Sequence, residues 1–164
     1  MNENPPVDQI PVQGSRLNLI FIVVIGLVLA LGIVYADVVL RARHSYLEGE
    51  KYFEWHQNPS LKKAFFDRQF EERKAGLEKA LARGRLTKAK FDEELESSEF
   101  DRDFRVNESS LKYAYQWYKD TFELFSPPES KWVKRARVKA PIALNQWKEE
   151  LREKKIPFTD TMLE

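Results

Sequence analysis

The sequence predicts an all-α protein in which a single N-terminal transmembrane helix precedes a small domain of about four to five amphipathic helices. Residues 17–40 begin with twenty residues that carry no charge. Further along, apolar residues recur at helical spacing, and no segment alternates as a strand does. We therefore expect an extended or disordered tail at 1–16, a transmembrane helix at 17–40, an extramembrane helical domain at 41–158 and a C-terminal tail at 159–164.

The apolar run has the length that a bilayer requires. About 20 apolar residues in a helix cross a hydrocarbon layer roughly 30 Å thick. A signal peptide usually has a shorter apolar region, of about 7–15 residues, after a basic leader. Here the leader carries one basic residue, Arg16. Two alternatives stay open: a cleaved signal peptide, since Val34-Tyr35-Ala36 resembles a cleavage site, and a buried helix of a soluble protein.

Charged residues mark both ends of the run and indicate its orientation. Arg16 stands alone before it, whereas Arg41, Arg43 and Lys51 follow it. Basic residues close to a span favour the cytoplasmic side. We expect a single-pass integral membrane protein of the plasma or inner membrane with a cytoplasmic C-terminal domain, although long domains can cross regardless of charge. Asp37 is expected among the headgroups, paired with Arg41 one helical turn on.

The first two helices of the domain follow from turn signals. The anchor helix should continue over 41–56 and end at Asn58-Pro59. A second helix should run from Ser60 to about Arg83 and end at Gly84. Its apolar stripe is expected to comprise Leu61, Ala64, Phe65, Phe66, Phe70, Leu77 and Leu81.

Thr87 should cap a third helix that carries Phe91 and Leu95. The pattern Leu77…Leu81…Gly84-x-Leu86-Thr87-x-x-x-Phe91 resembles the short helical hairpin family called SHOCT, with Lys90 in place of the acid that usually precedes the aromatic residue. The resemblance implies a helical hairpin here and no particular activity.

Two more amphipathic helices are predicted after the hairpin. Ser109-Ser110 should open a helix that ends at Phe125. Ser126-Pro127-Pro128-Glu129 reads as a new helix start with a capping box. Ala140-Pro141 should interrupt that helix and allow a last one to about Lys154. The predicted buried faces are Leu111, Ala114, Tyr115, Tyr118, Phe122 and Phe125, and then Leu144, Trp147 and Leu151.

Composition excludes several kinds of chemistry. The chain has 27 lysines and arginines, 26 aspartates and glutamates, and no cysteine. Such a balance argues against bulk nucleic-acid binding, and the lack of cysteine excludes disulfides and thiolate metal centres. His44 and Glu48 lie on one helix face, but a metal site needs a third ligand. We expect no enzyme activity, cofactor, metal, nucleic-acid partner or small-molecule substrate.

Small residues in the anchor are candidate helix-packing positions. Gly26-x-x-x-Ala30 and Gly32-x-x-x-Ala36 each allow a neighbouring helix backbone to approach closely in lipid. At about 100° per residue the two pairs lie roughly 120° apart. Two such sides suit a helix packed among several neighbours, although glycine and alanine are also common in membrane helices.

Aromatic and basic residues are candidate contacts for a partner or for lipid. Trp117 falls outside the buried stripe and Tyr113 lies at its edge, so both are candidates for a binding surface. Residues 131–139 form a basic amphipathic segment that suits anionic lipid or an acidic partner. Its bases could instead face solvent or pair with the acidic residues in 92–103. The five bases are Lys131, Lys134, Arg135, Arg137 and Lys139.

These features predict a non-catalytic, single-pass accessory or structural subunit of a larger membrane complex. Its expected partners are other membrane protein subunits and the lipid bilayer. The alternative is a membrane-tethered adaptor that recruits a soluble or anionic-lipid partner through residues 131–139.

Overall fold

The computed structural model describes the backbone of residues 13–163 and the side chains of residues 19–163. Every regular element in this part of the chain is a helix. Residues 1–12 of the predicted tail lie outside the described residues. The six helices of residues 13–163 are α1 (Gln13–Gln57), α2 (Pro59–Ala82), α3 (Lys88–Asn107), α4 (Ser110–Leu124), α5 (Lys131–Glu153) and α6 (Asp160–Leu163).

Helix α1 continues without a break from the apolar run into the polar part of the chain, as predicted. Its large apolar side chains between Leu19 and Tyr35 are 51–70% exposed. Burial by the chain's own helices begins at Ala42. The helix ends at Gln57 because Pro59, which supplies no backbone N–H, forces a new start. Its N-terminal part is long and apolar enough to cross a membrane.

Helices α4 and α5 pack on the polar half of α1 in opposite directions. The Ser45 hydroxyl of α1 reaches the carbonyl oxygen of Trp117 at 3.0 Å, and the Tyr52 ring stacks on Tyr113. Helix α4 therefore runs antiparallel to α1. Helix α5 runs parallel to α1, since Trp132 contacts Tyr46, and Lys139 further along α5 pairs with Glu50 further along α1. The C-terminus of α4 and the N-terminus of α5 thus lie beside the end of the apolar run.

The core joins aromatic residues of α1 and α4 to alanines of α5. The small α5 side chains leave room for the rings, so the three helices pack closely. Gly49 of α1 lies directly against the Tyr118 ring, which is fully buried. The core residues are Tyr46, Ala114, Tyr115, Tyr118, Ala136, Ala140 and Ala143.

The predicted start of α5 is wrong. The helix begins at Lys131, and the Ser130 hydroxyl accepts a hydrogen bond from the backbone N–H of Val133 at 3.3 Å. Ser126 and Glu129 are hydrogen-bonded to each other and do not form a cap. Because a proline disfavours the helical conformation in the residue before it, the Pro127-Pro128 pair delays the helix.

The predicted interruption at Ala140-Pro141 is also wrong. Helix α5 continues through Pro141 to Glu153. The buried face of α5 includes Val133 and Ala136 before the proline and Ala143 after it. Pro141 itself is exposed, so its ring lies outside the core while packing holds both halves in one helix.

Helices α2 and α3 form the predicted hairpin. Gly84 takes a positive φ of 68° after α2, and the Thr87 hydroxyl accepts from the Lys90 N–H at 3.3 Å. Phe66 and Phe91 are buried. The predicted stripe is wrong at Leu61 and Ala64, which are exposed, because Lys62 beside them is the buried residue. Within the predicted C-terminal tail, α6 forms one short turn of helix.

Candidate interaction surfaces

Both small-residue faces of α1 are open within the part of the chain that the structure describes. A Cβ atom added at Gly26 or Gly32 would meet no other atom within 4 Å. Ala30 and Ala36 are exposed as well. The chain therefore leaves both faces free for a neighbouring helix or for lipid, and their use in helix packing stays a prediction.

Tyr113 and Trp117 occupy different surroundings. The Tyr113 ring is half-buried and lies 5.1 Å from that of Tyr52 between centroids. Its hydroxyl donates to the Glu108 carboxylate, and this bond together with burial raises the pKa of Tyr113 to about 12. Trp117 makes an edge contact with His44 of α1, 6.4 Å away. Tyr113 is thus held by contacts within the fold near Tyr52, whereas Trp117 lies near His44, closer to the apolar run.

Trp117 borders an apolar groove beside the end of the apolar run. The groove has a volume of about 440 Å³ and joins Leu40 and His44 of α1 to Leu124 and Phe125 at the end of α4. Leu124 is 68% exposed. The exposed apolar surface of α1 therefore continues onto the end of α4.

The five bases of α5 divide into a paired and an unpaired set. Arg137 lies 2.7 Å from Glu129, and Lys139 lies 3.4 Å from Glu50. Within residues 19–163, no ion pair engages Lys131, Lys134 or Arg135. The acidic residues of α3 pair with bases of α2 and α3, as Glu94 does with Arg73.

Three cations surround one indole ring at the start of α5. Lys131 Nζ lies 4.7 Å from the centroid of the Trp132 ring, and the guanidinium carbon of Arg135 lies 5.6 Å from it. The guanidinium of Arg43, from α1, approaches the same ring at 5.9 Å. We call Arg43, Lys131, Trp132 and Arg135 the basic cluster. Sequence reasoning identified Lys131 and Arg135 but not their meeting with Arg43.

A second exposed surface lies on α3 and was missed from the sequence. Phe100 and Phe104 are 72% and 55% exposed, and their rings stack with centroids 6.3 Å apart. Asp101 and Asp103 lie between them in the sequence. At about 100° per residue these rings lie on the side of α3 opposite Phe91, so a helical projection could have found them.

Polar groups near the base of the hairpin connect the helix ends. The buried Lys62 ammonium donates to the Glu108 carbonyl oxygen at 2.5 Å, and burial lowers the pKa of Lys62. Ser109 donates to the Glu150 carboxylate at 2.6 Å. Among the described side chains, no group of three or more histidines and carboxylates is arranged to hold a metal ion.

Comparison of the chain with family models, with curated proteins and with solved structures finds no match. The functional assignment therefore depends on the surfaces described above.

Proposed function

We propose that this protein is a non-catalytic, single-pass accessory or structural subunit of a larger membrane complex. The supporting observation is the apolar N-terminal part of α1, whose side chains the rest of the chain leaves uncovered. Exposed apolar surface of this extent needs lipid or another protein to cover it. In this proposal α1 spans a plasma or inner membrane and the helices after it lie in the cytoplasm.

The two open small-residue faces of α1 supply the packing surfaces in the bilayer. Lipid tails cover apolar side chains as well as another helix does, so apolarity alone does not drive association there. Close backbone approach at Gly26 and Gly32 provides the contact that lipid cannot make. Faces about 120° apart suit a helix that is packed between two neighbours.

The exposed rings of Phe100 and Phe104 supply a second contact outside the bilayer. Aromatic residues are enriched where proteins bind one another. Asp101 and Asp103 between the rings already pair with Arg105 and Arg102, so the apolar rings themselves supply this contact. The hairpin would thus contact a neighbouring subunit while α1 packs in lipid.

Helix α1 also fixes the helical body relative to the bilayer. It passes from Leu40 to Gln57 without a break, which corresponds to about 25 Å along its axis. Helices α4 and α5 pack on this part of it through a buried core. Because these helices pack on α1 itself, α1 sets their position relative to the bilayer, as a structural subunit requires.

The first test identifies what travels with the protein. The full chain is extracted from its native membrane in mild detergent, run on a native gel, and its partners are identified by mass spectrometry. Comigration with fixed partners in a large particle is expected. Migration alone or as a small homo-oligomer would rule the subunit proposal out.

Substitutions in α1 make the same test specific. Gly26→Leu and Gly32→Leu each add bulk to one of the two open faces and should release the protein from the particle. Val24→Leu adds bulk on the remaining side of α1, away from both small-residue faces, and serves as the matched control. Retention of both glycine variants in the particle would contradict helix packing at these faces.

The second candidate function is a membrane-tethered adaptor that recruits a soluble partner through residues 131–139. It is favoured by Lys134 and Arg135, which have no ion-pair partner among the described residues. Val138, which lies near them on the same helix, is exposed. It predicts salt-sensitive binding by the full chain in nanodiscs. Lys134→Glu with Arg135→Glu should abolish that binding without releasing the protein from the membrane.

A further inference from the structure

The end of α4 and the start of α5 carry a surface that the subunit proposal does not use. Because α4 runs antiparallel to α1 and α5 runs parallel to it, their connection at residues 125–130 lies beside the end of the apolar run. Arg43 follows Leu40 by three residues, or about 5 Å along the helix axis. If α1 spans the bilayer, this surface lies at the depth of the lipid headgroups.

The basic cluster is electrostatically incomplete. Arg43, Lys131 and Arg135 all lie within 6 Å of the Trp132 ring centroid. The ring face attracts cations, but it does not neutralise three of them. Glu129, two residues before Lys131, is already engaged by Arg137, and Glu50 of α1 is engaged by Lys139. A bound anion would relieve the mutual repulsion of the three side chains.

An apolar groove lies at the same level along α1, between α1 and the end of α4. Leu124 and Phe125 line the groove with Leu40, and Leu124 is largely exposed. A tryptophan, an exposed leucine and several bases at one level are typical of a surface that lies in the bilayer interface. A soluble acidic protein would match the charges but would leave the apolar groove uncovered.

We infer that the basic cluster binds the phosphate group of an anionic glycerophospholipid of the surrounding bilayer, while Leu124 and Phe125 enter the interfacial layer beside α1. The occupant follows from three observations: the position of the cluster next to the apolar run, its unpaired positive charge, and the apolar groove at the same level along α1. The inference rests on α1 crossing the bilayer, as proposed above, but it does not require other subunits.

Native mass spectrometry of the full chain in nonionic detergent tests the lipid preference. Phosphatidylglycerol and phosphatidylcholine of equal chain length are titrated against the protein, and bound lipid is counted. We expect roughly hundredfold tighter retention of phosphatidylglycerol, from the three charges together. Arg43→Gln with Lys131→Gln and Arg135→Gln should remove this preference, at about fivefold for each charge lost.

The matched control removes three charges elsewhere. Lys79→Gln with Arg83→Gln and Arg85→Gln lies at the far end of the hairpin and should keep the preference. Equal retention of the two lipids by the unmodified chain, or equal loss in both triple variants, would overturn the inference. Competition by inorganic phosphate or by a polyglutamate peptide, without retention of phosphatidylglycerol, would assign the cluster to a free anion or an acidic protein and overturn it too.

A second measurement locates the C-terminal end of α4 relative to the bilayer. The chain has no cysteine, so Leu124→Cys creates a single labelling site. In vesicles that contain phosphatidylglycerol, a fluorophore at this position should be quenched by headgroup-labelled lipid. A fluorophore at Gln57→Cys, about 25 Å further along α1, should be quenched much less. Equal quenching at both positions would contradict the placement of the end of α4 at the bilayer interface.

The two proposals fail in different ways. If carbonate extracts the protein from vesicles, α1 does not cross the bilayer and both are wrong. If the protein stays in the membrane but migrates alone, only the subunit proposal fails. If the triple basic-cluster variant keeps both its lipid preference and its place in a large particle, only the lipid inference fails.

Discussion

Gly49 provides the sharpest test of how α1 and α4 pack together. A Cβ atom at this position would lie 2.7 Å from two carbons of the Tyr118 ring. Ordinary contacts between carbon atoms are about 3.5–4.0 Å. The Gly49→Ala substitution therefore requires the ring or one of the helices to move by close to 1 Å.

The Tyr118 ring has no room to move. It is fully buried, and its hydroxyl donates to the Glu50 carboxylate at 2.5 Å, so rotation of the ring would break a buried hydrogen bond. Overpacking of this kind costs about 1–3 kcal/mol. Alanine in a helix gains about 0.5–1 kcal/mol over glycine. We expect a net loss of about 1–2 kcal/mol in the free energy of unfolding, since the clash outweighs the helix preference.

The assay is urea and thermal unfolding of the full chain in detergent micelles, followed by circular dichroism and by tryptophan fluorescence. The expected loss corresponds to a Tm lower by about 2–8 °C for a chain of this size. The matched control is Gly76→Ala in α2, where a Cβ atom would meet nothing within 4 Å and the helix preference alone should raise stability. In a Tyr118→Leu background, Gly49→Ala should no longer destabilise. If Gly49→Ala stabilises as Gly76→Ala does, the close approach of α1 and α4 is refuted.

Three further substitutions test other parts of the fold. Burial and then a hydrogen bond with Glu50 raise the pKa of Tyr46 to about 12, above its unfolded value near 10. Its contribution to stability is therefore complete below pH 10 and is lost as the pH rises through 12. Tyr46→Phe should reduce that alkaline loss by about 1.4 kcal/mol per pH unit in this window. An equal dependence of the free energy of unfolding on pH in both proteins would contradict it. Lys62→Met keeps the aliphatic shape but removes the donor to the Glu108 carbonyl, so the free energy of unfolding should fall by about 1–3 kcal/mol, with faster amide exchange at the end of α3; unchanged exchange there would argue against this cap. Pro141→Ala restores a backbone donor inside α5 and should raise the free energy of unfolding by about 1–3 kcal/mol, whereas a helix interrupted at this point would gain nothing.

Local signals in the sequence were enough to predict most of the helices. Thr87 and Ser109 cap the helices that follow them, and each accepts a hydrogen bond from the backbone N–H three residues on. These caps depend on a few neighbouring residues, so the sequence contains all of the information. The apolar face of α4 was predictable for the same reason, since its spacing is regular over the whole helix.

Tertiary packing decided what the local signals could not. Pro141 usually ends a helix, yet the alanines on both sides of it are buried against α1 and α4, and this burial outweighs the missing hydrogen bond. Lys62 is not among the residues of the predicted apolar stripe, because only the fold brings the Glu108 carbonyl to it. The importance of Gly49 likewise depends on Tyr118, which is far away in the sequence.

The candidate surfaces divide in the same way. The small residues of α1 and the bases of α5 were visible in the sequence, because each set lies within one helix. The meeting of Arg43 with Lys131 and Arg135 was not, since it requires α5 to run parallel to α1. A helical projection could have identified Phe100 and Phe104 as well. They were not found because the sequence was searched for buried faces, and these rings lie opposite the buried face of α3.

The Gly49 contact and the basic cluster are physically connected. Gly49 lies six residues, or about 9 Å, along α1 from Arg43, and its contact with Tyr118 sets how closely α4 approaches α1. If Gly49→Ala moves α4 outward, α5 moves with it through their shared core, and Trp132 moves away from Arg43. The variant should therefore weaken the preference for phosphatidylglycerol although it changes no charge. A destabilised Gly49→Ala protein with an unchanged lipid preference would show that Lys131 and Arg135 hold the lipid without Arg43.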